Sequence, residues 1–121
     1  MTKRILVVED QEDNRQILRD LLGSVGFTMI EANDGAEALL QAGKEKPDLI
    51  LMDIQLPVMD GYEATRRLKS DPATKEIPII VVTSYALSGD EGKAKAAGCD
   101  AYVTKPYSPR QLLAKVKEFL P

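Results

Sequence analysis

Four short segments of this 121-residue chain contain side chains suited to metal or phosphoryl chemistry. Each follows an apolar run, and the segments are Glu9-Asp10, Asp53, Thr83-Ser84 and Thr104-Lys105-Pro106. Carboxylates crowded together repel one another and raise a pKa, unless a hard divalent cation lies among them. Few protein oxygens in an open, hydrated site favour Mg²⁺ over Ca²⁺, and the sequence contains no EF-hand loop. Lys105 would supply a mobile positive charge suited to a phosphoryl oxygen.

Each of these residues also has an ordinary structural explanation when it is taken alone. An acidic pair after a strand commonly caps the next helix. Asp53 could cap a turn, and Lys105 could be a solvated loop lysine. The functional interpretation therefore depends on whether the segments converge on one edge of a sheet.

The elements that would position these residues alternate regularly along the chain. Hydrophobic patterning predicts strands at 5–8, 27–31, 48–53, 79–82 and 101–104, and helices at 12–25, 36–45, 60–70, 88–97 and 108–120. This (βα)5 pattern predicts an α/β fold, a doubly wound, five-stranded parallel sheet within one domain spanning residues 1–121. The pattern leaves the strand order open, and the flavodoxin-like order 2-1-3-4-5 is the common choice. The carboxyl ends of the strands would then share one edge, with a crevice beyond strands one and three.

Composition excludes several classes of function. The absence of histidine excludes Ser-His-Asp and Cys-His triads and His-ligated zinc, which leaves carboxylates, Lys, Thr or a metal for any phosphoryl chemistry. The net charge of −3 and the scattered basic residues argue against nucleic acid as a partner. No apolar run approaches the roughly 18 residues that a membrane span needs. The single cysteine, Cys99, which we expect to be buried, suits a cytoplasmic location.

Four spans of the sequence resemble one family in order and spacing. They are ILVVEDQEDNR, DLILMDIQLPVMDGYEAT, IPIIVVTSYA and GCDAYVTKP. They resemble the receiver domains of bacterial two-component systems, and the resemblance covers the full length of the chain. It implies a signalling switch that is phosphorylated on one aspartate. Receivers fused to hybrid sensor histidine kinases share the MDIQ-P-MDG pattern, so a domain excised from such a kinase is the alternative to a stand-alone response regulator.

The resemblance assigns roles to individual residues. It implies that Asp53 becomes a 4-aspartylphosphate, with the phosphoryl group coming from a sensor histidine kinase or a histidine phosphotransfer protein. It also implies four Mg²⁺ ligands, which are Asp10, Asp53, Glu9 through water, and the main-chain carbonyl of Gln55. The family is a phosphoacceptor switch rather than an enzyme, with at most self-phosphorylation from small donors and self-dephosphorylation.

The resemblance implies further roles in switching. Thr83 and Lys105 would contact the phosphoryl oxygens, and Tyr102 matches the switch aromatic. The Lys105–Pro106 peptide would be cis, and a downstream protein would dock on the face of helix 4, strand 5 and helix 5. Gln55 and Tyr85 would border the water that hydrolyses the phosphoryl group, and the bulk of Tyr85 predicts slow self-dephosphorylation.

A hydrolase of the haloacid dehalogenase type is a competing interpretation of an aspartate at a strand end. Such enzymes have a second aspartate two residues after the nucleophile. Gln55 occupies that position in this sequence and has no acid or base group. The sequence therefore favours the receiver interpretation.

Overall fold

The computed structural model describes residues 2–83 and 90–121, with only the backbone described at 90 and 91. Five strands alternate with five helices in these ranges. In chain order they are β1 (Arg4–Val8), α1 (Glu12–Ser24), β2 (Thr28–Ala32), α2 (Gly35–Glu45), β3 (Leu49–Asp53), α3 (Gly61–Ser70), β4 (Ile79–Thr83), α4 (Asp90–Ala97), β5 (Ala101–Thr104) and α5 (Pro109–Phe119). Within the described residues, no helix is both long and apolar enough to cross a membrane.

The strands form one parallel sheet in the order β2-β1-β3-β4-β5. This order confirms the predicted doubly wound α/β fold. In the register of the sheet, Asp53 on β3 pairs with Val82 on β4, and Thr83 on β4 pairs with Thr104 on β5. The carboxyl ends of these neighbouring strands therefore meet at one edge, as the sequence predicted.

Two layers of helices cover the sheet, and each encloses its own core. On one side, α1 and α5 pack against alternate strand residues such as Ile5, Leu49 and Ile80. On the other side, α2, α3 and α4 pack against the intervening residues, among them Leu6 and Ile50. The three central strands are almost completely buried. Burial on both faces explains why these strands are continuous apolar runs rather than alternating patterns.

Local signals set the ends of the helices. Asp34, Asp60 and Ser108 cap α2, α3 and α5 by accepting backbone N–H groups, which is the usual role of such residues. Gly26, the predicted stop of α1, has φ 89°. The N–H of Phe27 then donates to the Leu22 carbonyl, so Phe27 completes the end of α1 and β2 begins one residue later than predicted.

The single cysteine differs slightly from its prediction. Cys99 is half-buried rather than fully buried, and it packs against the core under α2, α3 and α4. Burial, assisted by the negative charge of Asp100, raises the pKa of its thiol. Cys99 is therefore a packing residue of the loop before β5.

Candidate functional site

Polar residues from four strands meet at the carboxyl-end edge of the sheet. Glu9 directly follows β1, and its backbone N–H donates to the carbonyl of Ala32 at the end of β2, at 3.0 Å. Asp53 and Thr83 are the last residues of the neighbouring strands β3 and β4. Lys105 follows β5, and its backbone N–H donates to the Thr83 carbonyl at 2.6 Å. The sheet itself therefore positions each of these side chains.

Three carboxylates form a compact cluster at this edge. Glu9, Asp10 and Asp53 each offer an oxygen atom, and these atoms all lie within 4.8 Å of one another. Glu9 and Asp53 are buried, with 3% and 7% of their surface exposed, whereas Asp10 is exposed. The cluster is thus closed on the protein side and open to solvent at Asp10.

Lys105 balances only part of this negative charge. Its Nζ lies 3.3 Å from Oδ2 of Asp53 and 3.6 Å from Oε2 of Glu9. Burial lowers the pKa of Lys105, but the charges of Asp53 and Glu9 outweigh burial and raise it. Three carboxylates (−3) and one ammonium (+1) leave a formal charge of −2. One divalent cation would neutralise that charge, and an all-oxygen donor set suits a hard ion such as Mg²⁺.

The carboxylate of Asp53 is in an unusual electrostatic environment. Burial, together with hydrogen bonding to Glu9 and repulsion from it, raises the pKa of Asp53 from 3.8 to about 7. Burial also opposes ionisation of Glu9, but its hydrogen bonds with Asp53 and Asn14 and the charge of Lys105 lower its pKa. The two carboxyl groups interact strongly, and Asp53, which Glu9 repels, carries the upward pKa shift.

The loop after β3 is folded closely against Asp53. The N–H of Gln55 donates to Oδ1 of Asp53 at 3.3 Å, and the N–H of Gly61 donates to the Ile54 carbonyl at 3.1 Å. A Cβ atom on Gly61 would lie 2.1 Å from the main-chain oxygen of Asp53. A side chain at position 61 would therefore displace either the loop or the end of β3, which carries Asp53.

Comparison with known proteins identifies this arrangement. Residues 5–117 match the family model described as the response regulator receiver domain. The chain belongs to this family. The polar-differentiation response regulator DivK of Brucella ovis is 44% identical over 120 residues, which cover 99% of this chain and 98% of DivK. A match over nearly the whole length of DivK favours the stand-alone regulator over a domain excised from a hybrid kinase.

Solved structures agree with this assignment. The receiver domain of a sensor histidine kinase from Pseudomonas aeruginosa PAO1 has a TM-score of 0.91 and 34% identity, and the alignment covers 99% of this chain and 98% of that one. That structure contains a magnesium ion coordinated in its active site cleft. The chemotaxis protein CheY4 of Vibrio cholerae has a TM-score of 0.91 and 29% identity, and covers 98% of this chain.

Most of the residues predicted for the site converge in this receiver domain. Glu9, Asp10, Asp53 and Lys105 form the charged cluster, and the backbone of Gln55 contacts Asp53. The Lys105–Pro106 peptide bond is cis, as the family resemblance implied. Ser84 and Tyr85, which the sequence also singled out, lie outside the described residues. The ligand role of the Gln55 carbonyl and the shielding role of Tyr85 stay predictions.

Tyr102 lies on the side of the receiver domain that α4 covers. It is half-buried on β5, opposite Val81 of β4, and packs against the core shared by α2, α3 and α4. Thr83, the other predicted switch residue, is 1% exposed at the end of β4. The two residues thus occupy adjacent strands between the charged cluster and α4.

Sequence reasoning missed two residues that support Glu9. Asn14 donates to Oε1 of Glu9 at 3.1 Å, and Arg15 donates to the Glu9 main-chain carbonyl at 2.7 Å. Both lie in the first two turns of α1, within the segment ILVVEDQEDNR. Their spacing from Glu9 could have indicated them, because a helix that follows a strand directly brings its first turns back over the strand end.

A cavity of about 640 Å³ adjoins the cluster on the side of α1 and α5. Glu9, Asp53 and Lys105 line its polar end, and Ile17 and Tyr107 are among its apolar walls. Burial raises the pKa of Tyr107, as do the charges of Glu9 and Asp53. Asp53 therefore borders a cavity that has both apolar and charged walls.

Proposed function

We propose that this receiver domain is a Mg²⁺-dependent phosphoacceptor, with Asp53 as the residue that receives the phosphoryl group. The observation that carries the proposal is the buried Asp53 carboxylate, which lies 3.3 Å from the Lys105 ammonium and beside Glu9 and Asp10. A structural carboxylate would be satisfied by one partner, whereas this cluster keeps an excess of negative charge. The donor would be a phosphohistidine on a sensor histidine kinase or a histidine phosphotransfer protein.

The same cluster would hold the metal ion. Asp10 and Asp53 would ligate Mg²⁺ directly, Glu9 through water, and Gln55 through its main-chain carbonyl. The support is the spacing of the three carboxylates and the magnesium ion in the related receiver domain from Pseudomonas aeruginosa. When bound, the ion would neutralise charge on the phosphoryl oxygens.

Transfer to Asp53 is a substitution at phosphorus. An oxygen of the Asp53 carboxylate bonds to phosphorus while the bond from phosphorus to the donor imidazole nitrogen breaks, and the imidazole leaves with the electron pair. Lys105 would stabilise the charge of the transferred oxygens, and Thr83 would contact one of them from the end of the neighbouring strand. Phosphoryl transfer depends on such positioning and charge neutralisation more than on covalent assistance.

The phosphorylated state would change the binding of a partner protein in the cytoplasm. Thr83 and Tyr102 would couple the phosphoryl group to the face formed by α4, β5 and α5. The support is the position of Tyr102 on β5 and a groove between β5 and α5, which is lined in part by Tyr102, Gln111 and Lys115. Self-phosphorylation from small donors and self-dephosphorylation would be the only reactions that the domain performs alone.

Phosphotransfer from a protein donor tests this function. A purified histidine phosphotransfer protein, labelled on its histidine, would be mixed with the receiver domain in Mg²⁺ and, in parallel, with a chelator. We expect the label to move to the receiver only in Mg²⁺. Lys105→Met, which is close in length but uncharged, should slow the transfer. A receiver that gains label equally with the chelator would contradict the proposal.

A further inference from the structure

Glu9 is fixed by several contacts with residues outside the charged cluster. Its backbone N–H donates to the Ala32 carbonyl at 3.0 Å. Its side-chain Oε1 accepts from the backbone N–H of Gln11 at 3.2 Å and from Nδ2 of Asn14 at 3.1 Å. The other oxygen, Oε2, lies 3.6 Å from Nζ of Lys105. The Glu9 carboxylate is therefore oriented by contacts outside the charged cluster.

Arg15 fixes the main chain of Glu9 from the other side. One terminal nitrogen donates to the Glu9 carbonyl at 2.7 Å, and the other lies 2.6 Å from Oε2 of Glu12. Its Nε lies 3.2 Å from Oε1 of Glu31 on β2. The side chain is only 12% exposed. The planar guanidinium thus links the turn after β1 to α1 and to β2, which the point charge of a lysine could not do.

We propose that Arg15 and Asn14 are positioning residues for the Mg²⁺ site, and this inference rests on the proposed function. Arg15 holds the backbone of the Glu9-Asp10 turn, and Asn14 holds the Glu9 side chain. Together they orient the two acidic residues that follow β1. Groups that orient metal-ligating residues commonly change metal affinity by about 10–100-fold when they are removed. Both residues touch Glu9 and neither belongs to the carboxylate cluster itself.

Arg19 provides a matched control for Arg15. It lies one turn further along α1 and contacts the same two acids, with distances of 2.6 Å to Glu31 and 3.6 Å to Glu12. Its described contacts do not include Glu9. Arg15→Gln and Arg19→Gln therefore both remove ion pairs with Glu12 and Glu31, but only the first releases the Glu9 carbonyl.

The experiment is a Mg²⁺ titration followed by NMR amide shifts in the parent domain and both variants. We expect the dissociation constant of Arg15→Gln to rise by about tenfold. That of Arg19→Gln should stay within about twofold, because exposed ion pairs contribute little. The rate of phosphorylation by acetyl phosphate should return to nearly the parent value when Mg²⁺ saturates Arg15→Gln. A general loss of structure would not be rescued in this way.

The measured dissociation constants also distinguish failure of this inference from failure of the proposed function. Equal dissociation constants for Arg15→Gln and Arg19→Gln would overturn the inference while leaving the proposed function intact. A parent domain that does not bind Mg²⁺ would overturn both. If Arg15→Gln fails to fold, the Mg²⁺ affinities of Asn14→Ala and Gln16→Ala are compared instead. Gln16 is a suitable control because it is an exposed amide of α1 that hydrogen-bonds to Asp20 and Arg19 rather than to Glu9. Weaker Mg²⁺ binding in Asn14→Ala alone supports the inference, and equal binding refutes it.

Discussion

At the scale of single residues, the site around Asp53 has more negative than positive charge. Lys105 is the cation closest to the Asp53 carboxylate among the described ion pairs, and it is shared with Glu9. Even with this lysine present, the pKa of Asp53 is raised to about 7, mainly because of burial and then because of Glu9. A further positive charge would favour the ionised form of Asp53, and a divalent cation could supply it.

Gly61 has no side chain, and this lets the loop after β3 lie close to Asp53. Gly61→Ala would place Cβ 2.1 Å from the main-chain oxygen of Asp53. We expect it to lower the free energy of unfolding by roughly 1–3 kcal/mol, the usual cost of overpacking, and to slow phosphorylation because Asp53 is displaced. Urea unfolding and the labelling rate with acetyl phosphate would measure both effects.

Gly43→Ala is the control for this prediction. No atom lies within 4 Å of a Cβ at Gly43, which is inside α2. Alanine should therefore raise the free energy of unfolding by about 0.5–1 kcal/mol and leave the labelling rate unchanged. If Gly61→Ala were as stable and as reactive as the parent, the loop would not depend on the close approach at position 61.

At the scale of the elements, the sequence predicted every strand and helix because burial leaves a direct pattern. The strand that contains Ile80 is buried on both faces, so its residues form a continuous apolar run in the sequence. The contacts of Asn14 and Arg15 with Glu9 could not be predicted in the same way, since they depend on the angle at which α1 leaves β1. The half-buried state of Cys99 likewise depends on packing between α3, α4 and the sheet, which no local pattern encodes.

The helix α4 is anchored to the core by few buried side chains. Its buried side chains among residues 92–97 are Ala94 and Ala97 alone, so a small apolar area anchors it. We expect Thr83→Ala to accept the phosphoryl group but to show smaller phosphorylation-dependent amide shifts at Tyr102 and along α4, because the hydroxyl that would couple them is removed. NMR spectra before and after phosphorylation would measure this response.

Thr74→Ala controls for the loss of a buried threonine. Thr74 is 2% exposed, and its hydroxyl donates to the Leu68 carbonyl at 2.7 Å, in the connection that precedes β4. This variant should lose stability but keep the full shift response at Tyr102. The coupling proposed for Thr83 would be wrong if Thr83→Ala responded like the parent, or if Thr74→Ala lost the response to the same extent.

At the scale of the whole molecule, the charged cluster and Tyr102 lie on opposite sides of the sheet. The charged cluster and the adjoining cavity lie on the side of α1 and α5. Tyr102 packs on the other side of the sheet, against the core beneath α4. The strands β4 and β5 connect these two sides, since Thr83 and Lys105 lie at their ends. The switch that we propose would therefore act through these two strands.

The most direct test of Asp53 as the phosphoacceptor is the intact mass of the domain after treatment with acetyl phosphate and Mg²⁺. We expect one added phosphoryl group in the parent and in Asp20→Asn, a variant of an exposed carboxylate on α1. We expect none in Asp53→Asn, and none in the parent when a chelator removes Mg²⁺. An Asp53→Asn domain that gains the same mass as the parent would show that another residue is the acceptor.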